Sequence, residues 1–267
     1  MRFSLFMLLF FSCLGAREII FGVVPQQSPL KLQKAWAPVA AYLSEATGYT
    51  VRFKTESSIP KFEEALYAGR YDMAYMNPYH YVVAHEKQGY EAKVRADKLL
   101  RGILVVPKEA DNDIASLRGK TILFPAPYAF AATLVTKYEL KKRFGIDVER
   151  EMKVLYVNSH DSVYKGVARG IGNVGGGINR TFVNLSDAQS REKLRVLYTT
   201  DAYPSHPIGM SSSLPPEIQQ ALADAWLSMP EALIRELHFK GIRLTNDAEY
   251  DVIRNLAATL DLNETQP

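Results

Sequence analysis

The chain has 267 residues, 47% of them hydrophobic and 23% charged, with 32 basic against 29 acidic side chains and a formal net charge of +3. That balance suits a folded protein of one large or two modest domains, and it gives no basis for nucleic-acid binding. The single cysteine, Cys13, excludes a disulfide framework within the chain.

Met1 to Ala16 begins with Arg2, continues through the apolar run Leu5 to Phe11 and ends in the small residues Gly15 and Ala16, the pattern of a secretory signal peptide. The run is too short to span a bilayer. Cleavage after Ala16 removes Cys13. The other reading makes Cys13 a lipoprotein acceptor, although Phe10 and Phe11 stand where such sites take aliphatic and small residues. Both readings predict a periplasmic protein.

Ile19 to Val24 reads as a strand, and Ser28-Pro29 then opens a helix with a cap and a first-turn proline; Leu32, Trp36, Val39 and Leu43 form its apolar stripe, Pro38 should kink it and Gly48 ends it. Val51 and Phe53 alternate as in a strand, and Phe62, Ala65 and Leu66 form a helix face closed by Gly69. Tyr71 to Pro78 is a short strand running into the helix Tyr79 to Glu86. Strands at Gly102 to Val106 and up to Phe124 precede one helix from Tyr128 to Phe144, closed by Gly145. After Leu194 to Tyr198 and Ile208 to Ser213 the remainder reads as helical. Alternating strands and helices predict an α/β architecture with mainly parallel sheets.

The most informative stretch is Val157 to Phe182. An apolar strand, Val154 to Val157, feeds the cap Ser159, and Val163, Tyr164 and Val167 follow at helical spacing, so His160 falls in a first turn beside unpaired backbone N–H groups. The glycines between Gly170 and Gly177 either let the backbone come close to a ligand, with Arg180 just beyond, or serve turn geometry alone. Gly170, Gly172 and Gly175 also spell G-x-G-x-x-G, but the pattern trails a helix instead of opening one, which argues against a dinucleotide site. No G-x-S-x-G, H-E-x-x-H or C-x-x-C is present, no cofactor is implied, and His160 and Asp161 are adjacent on a helix and point apart, so no enzyme is predicted.

The leader, the Phe21-Gly22-Val23-Val24 strand, the Gly69 to Ala74 strand, the strand-Pro-x-Pro-helix junction at Phe124 to Ala129 and Asn158-Ser159-His160 together resemble the phosphate, phosphite and phosphonate substrate-binding proteins of ABC transporters, the PhnD-like family. The resemblance covers nearly all of the chain after the leader. It implies a type 2 periplasmic-binding-protein fold, in which two α/β lobes are joined by a two-segment hinge and close on an interlobe ligand cleft. The lobes fall at 17–103 plus 205–267 and at 104–204.

The resemblance makes His160 a donor to a phosphonate oxygen. Ser58 falls near an anion-binding tyrosine of the family, and Tyr75 and Asn77 in the aromatic segment lining the cleft. The family's Ser-Thr-Ser anion turn falls on Ala129-Phe130-Ala131, without its hydroxyls. Two acidic positions that hold an amino group in aminoalkylphosphonate binders fall on Arg180 and His206, which implies an anionic ligand without a positive tail. Ser159, Tyr128 and Thr133, at helix starts, complete the candidates. The implied partners are a small anionic ligand and an ABC permease, or else a membrane sensor that reads closure; the protein itself is expected to be a monomer.

Overall fold

The computed structural model describes residues 18–262. Cys13 and the leader lie outside the described residues. The described chain begins with β1 (Glu18–Val23), α1 (Pro29–Thr47), β2 (Thr50–Lys54), α2 (Ile59–Tyr67), β3 (Met73–Tyr75), α3 (Pro78–Gln88) and β4 (Glu91–Ala96). A two-residue strand, β5 (Leu99–Leu100), leads into β6 (Gly102–Pro107) and β7 (Thr121–Phe124). A π-helical segment (Phe130–Val135) then runs directly into α4 (Thr136–Phe144). There follow α5 (Val148–Glu151), β8 (Lys153–Tyr156), α6 (His160–Ala168), β9 (Val174–Ile178), α7 (Asn179–Val183), α8 (Ala188–Glu192) and β10 (Leu194–Thr199). The chain returns through β11 (Tyr203–Pro204) and β12 (Pro207–Met210) to α9 (Pro216–Leu227), α10 (Glu231–Glu236), β13 (Ile242–Leu244) and α11 (Asp251–Thr259).

Two large sheets result. The first has six strands in the order β13-β4-β12-β3-β1-β2, and the second five in the order β10-β6-β9-β7-β8. The expectation of mainly parallel pairing needs correction. β1 pairs parallel with β2 and β3, and β7 with β8 and β9, but β12 and β6, the strands on which the chain enters each sheet from the other, run antiparallel to their neighbours. The two segments that pass between the sheets pair with each other, Leu100 with Tyr203 and Leu99 with Pro204. β13 also corrects the all-helical reading of the C-terminal region: it adds an edge strand to β4.

The elements form where apolar spacing dictates. α1 buries Leu32, Trp36, Val39, Ala40 and Leu43 along one face, runs through Pro38 and stops at Gly48 in the left-handed conformation. Trp36 meets Phe21, Tyr75, Trp226 and Phe239 with ring centroids 4.6–6.5 Å apart, an aromatic cluster that fixes α1 and the ends of β1 and β3 behind the cleft.

The glycine run serves this packing, which overturns the reading that it approaches a ligand. Gly175, Gly176 and Gly177 lie in β9, between β6 and β7 in the second sheet. A Cβ on Gly176 would stand 2.2 Å from the carbonyl oxygen of Ala132, and one on Gly177 2.3 Å from the hydroxyl of Tyr164. The glycines therefore let the π-helical segment press on one face of the sheet and α6 on the other. The single helix expected from Tyr128 to Phe144 is likewise corrected, since its first turns are π-helical. Because the Ala132 carbonyl belongs to backbone, it cannot swing aside for a methyl group. Gly176→Ala should lower stability by about 1–3 kcal/mol in urea unfolding, and an unchanged midpoint would contradict this packing.

Candidate functional site

Strands of both sheets end at one interlobe cleft of about 1080 Å³, at Val23 and Val24 from β1, Tyr75 from β3 and Tyr156 from β8. Helices begin where those strands end. Ser28, Ser58 and Ser159, which precede α1, α2 and α6, line the cleft, and Asn77, which precedes α3, lines a smaller cavity at its base. Ser58 Oγ accepts from the Lys61 amide (3.4 Å), Ser159 Oγ from the Ser162 amide (3.1 Å) and Asn77 Oδ1 from the His80 amide (2.8 Å). Each helix start carries roughly half a positive charge. Their convergence makes the cleft a place for anions.

The smaller cavity, of about 30 Å³, shares Val24, Gln26, Ile59 and His160 with the cleft, and His206 and residues Ala129 to Ala132 complete much of its wall. His160 is 8% exposed and His206 6%, and neither ring's Nδ1 has a hydrogen-bond partner. His206 stacks on Tyr75 (5.1 Å, 20°), and its Nε2 lies 2.7 Å from the Gln26 amide nitrogen; with that amide donating, the ring proton sits on Nδ1. Burial first, and the Arg180 guanidinium second, push the His160 imidazole down to about 4. Burial pushes His206 down as well, with Lys98 and Arg180 adding to the effect. Both rings are therefore neutral near pH 7, each with one N–H to donate.

The π-helical segment supplies donors of another kind. Its first hydrogen bonds run from the Thr133 and Leu134 amides to the carbonyl of Ala129. The amides of Phe130, Ala131 and Ala132 precede them and have no acceptor within the segment. This turn thus presents main-chain N–H groups, which need no particular side chain.

Across the cleft the lobes touch. Asn77 Nδ2 donates to the carbonyl of Tyr128 (3.0 Å), the rings of Tyr79 and Tyr128 stack at 5.5 Å, and Ile59 packs on Ala126, Ala129 and Ala132. Beside Asn77, the buried His80 holds Glu63 through Nε2 at 2.9 Å.

Of the residues expected at the site, the structure brings His160, Ser159, Arg180, Tyr75 and Ser58 to the cleft and Asn77, His160 and His206 to the cavity. Two expectations are corrected. Thr133 is fully buried and its hydroxyl donates to the Ala126 carbonyl at 2.8 Å, because the π-helical turn rotates it inward. The Tyr128 ring is spent on Tyr79, and the residue enters only through its carbonyl. The sequence reading missed Gln26, which follows β1 at the point where the strand meets α1, and Lys98, whose ammonium lies over the Phe239 ring (4.6 Å) and is pushed down to about 8 by burial and Arg180.

A model of the family described as ABC transporter, phosphonate, periplasmic substrate-binding protein matches residues 21–250. Phosphate-import protein PhnD of Mycolicibacterium smegmatis is 21% identical over 273 residues, covering 89% of this chain and 84% of that protein. PhnD1 from Prochlorococcus marinus, solved in complex with methylphosphonate, superposes with a TM-score of 0.82 at 16% identity, covering 91% of this chain and 98% of the other. A binding-protein component of an ABC phosphonate transporter from Pseudomonas aeruginosa gives 0.79 at 17% identity, over 91% and 86%. The two-lobed fold of these proteins is the fold of this chain.

The two buried imidazoles set a pH dependence. A histidine whose folded-state pKa lies below its unfolded value of 6.5 contributes stability that is present above pH 6.5 and is lost as pH falls toward 4. The urea midpoint of the protein without ligand should therefore drop between pH 6.5 and 5, and His160→Gln should flatten that drop. Parallel curves for the two proteins would show that His160 does not titrate as a buried group.

Proposed function

The chain belongs to the phosphonate ABC-transporter family of periplasmic substrate-binding proteins, and from that premise we propose that its lobes close on one tetrahedral oxyanion of the phosphonate, phosphite or phosphate class for delivery to the permease. The observation that carries this reading is the cavity itself: two buried imidazoles with unpartnered Nδ1 atoms beside helix starts and free main-chain amides. A phosphonate oxygen accepts what those groups have to donate. The relatives agree in kind, one being named for phosphate import and one holding methylphosphonate.

In this reading His160 and His206 are neutral donors, the amides of 130–132 replace the missing hydroxyls, Ser58 and Ser159 hold the helix starts in place, and Tyr75 backs His206. The lobes are 17–103 with 205–267 and 104–204, and the paired β5 and β11 form the hinge between them. The protein binds and releases its ligand without turnover. Its family is extracytoplasmic; residues 1–16 would direct export, with lipid attachment at Cys13 as the alternative processing.

A thermal-shift screen against phosphate, phosphite, methylphosphonate, sulfate and small carboxylates tests the class. A ligand at 100 times its Kd should stabilise by about 2.7 kcal/mol, and the tetrahedral phosphorus oxyanions should give the largest shifts. His160→Ala should weaken the best of them at least tenfold by calorimetry, about 1.4 kcal/mol; a change within twofold removes His160 from the site.

A further inference from the structure

The cavity and the cleft above it differ in what they can hold. At about 30 Å³ the cavity takes one compact group, whereas the cleft of about 1080 Å³ opens from it past His160 and leaves room for a substituent. The wall that such a substituent meets carries Arg180, half-buried in α7. Arg95, Arg118 and Arg254 each hold a carboxylate, but among the described residues no carboxylate lies within ion-pair distance of Arg180. Its charge bears on both sides of the cleft, on Tyr75, Lys98 and His206 from the first lobe and on His160 from the second.

Acidic residues also line the cleft, namely Glu56, Asp161 and Glu236. Glu56 is engaged by the Tyr71 hydroxyl (3.4 Å) and Lys54 (4.0 Å), and Asp161 sits in the first turn of α6, where the helix dipole holds a negative charge. None of them neutralises the guanidinium. A half-buried arginine with a planar fork and no acid is matched by a carboxylate, and it repels an ammonium.

We infer that Arg180 selects for a second acidic group on the ligand, so that the preferred substrates are phosphonates bearing a carboxylate, in place of alkyl- or aminoalkylphosphonates. This rests on the oxyanion reading above and adds to it the chemistry of the tail. The phosphonate fills the cavity, and the carboxylate lies in the cleft on the Arg180 fork.

Calorimetric titration of the purified protein with methylphosphonate, 2-aminoethylphosphonate, phosphonoacetate and 3-phosphonopropionate tests it. At least one phosphonocarboxylate should bind tenfold or more tighter than methylphosphonate, with 2-aminoethylphosphonate weakest. Arg180→Gln should bring that ratio to within twofold, and Arg180→Glu should raise 2-aminoethylphosphonate above the phosphonocarboxylates. Methylphosphonate binding as tightly as both phosphonocarboxylates overturns the inference and leaves the oxyanion reading standing, as does a tenfold ratio that survives Arg180→Gln. Binding of none of these compounds, nor of phosphate or phosphite, overturns the reading and the inference together. If the variants fail to fold, the order of affinities in the unaltered protein decides alone.

Discussion

A buried polar atom left without a hydrogen-bond partner costs about 1–3 kcal/mol, and two of the four such side-chain atoms among the described residues, Nδ1 of His160 and Nδ1 of His206, belong to residues that line one cavity. Folding alone gives no reason to keep them. The surroundings hold both rings in place even so: Gln26 and the Tyr75 ring fix His206, and the first turn of α6 fixes His160. The charged form of either ring is opposed by burial and by the guanidinium of Arg180. What remains is a pair of neutral donors, preorganised and unsatisfied, which an oxyanion can satisfy without the protein having to rearrange them.

The rest of the fold keeps that arrangement rigid. Glycines in β9 bring the π-helical segment and α6 hard against opposite faces of one sheet, so that the amides of 130–132 and the start of α6 keep a fixed relation. An aromatic cluster around Trp36 does the same for the first lobe. Between the lobes lie an amide-to-carbonyl bond from Asn77 to Tyr128, a tyrosine stack and Ile59 on three alanines, and Phe130, Ala131, Leu134 and Val135 pack into the same apolar core as the first sheet.

Much of this was legible in the sequence wherever the signal is local. Ser159 capping a helix at His160, Gly48 and Gly145 ending helices, and the stripe Leu32-Trp36-Val39-Leu43 all follow from neighbouring residues, and all are present. Errors arose where tertiary contacts decide. Glycines are needed wherever a backbone is approached closely, and the sequence does not say whether a ligand or the chain's own Ala132 carbonyl comes near. Thr133 is expected at the start of an α-helix, but the turn there is π-helical, and its hydroxyl turns to Ala126. Gln26 carries no sequence signal beyond its position after β1, and its role emerges only because His206, 180 positions later, returns to the same place.

Nitrogen NMR of the His160 ring reads its contact with an oxyanion most directly. On titration with methylphosphonate at pH 7, a ring nitrogen of His160 should shift to a hydrogen-bonded value and saturate together with the binding isotherm. A His160 ring whose nitrogen shifts stay unchanged at full occupancy would contradict it.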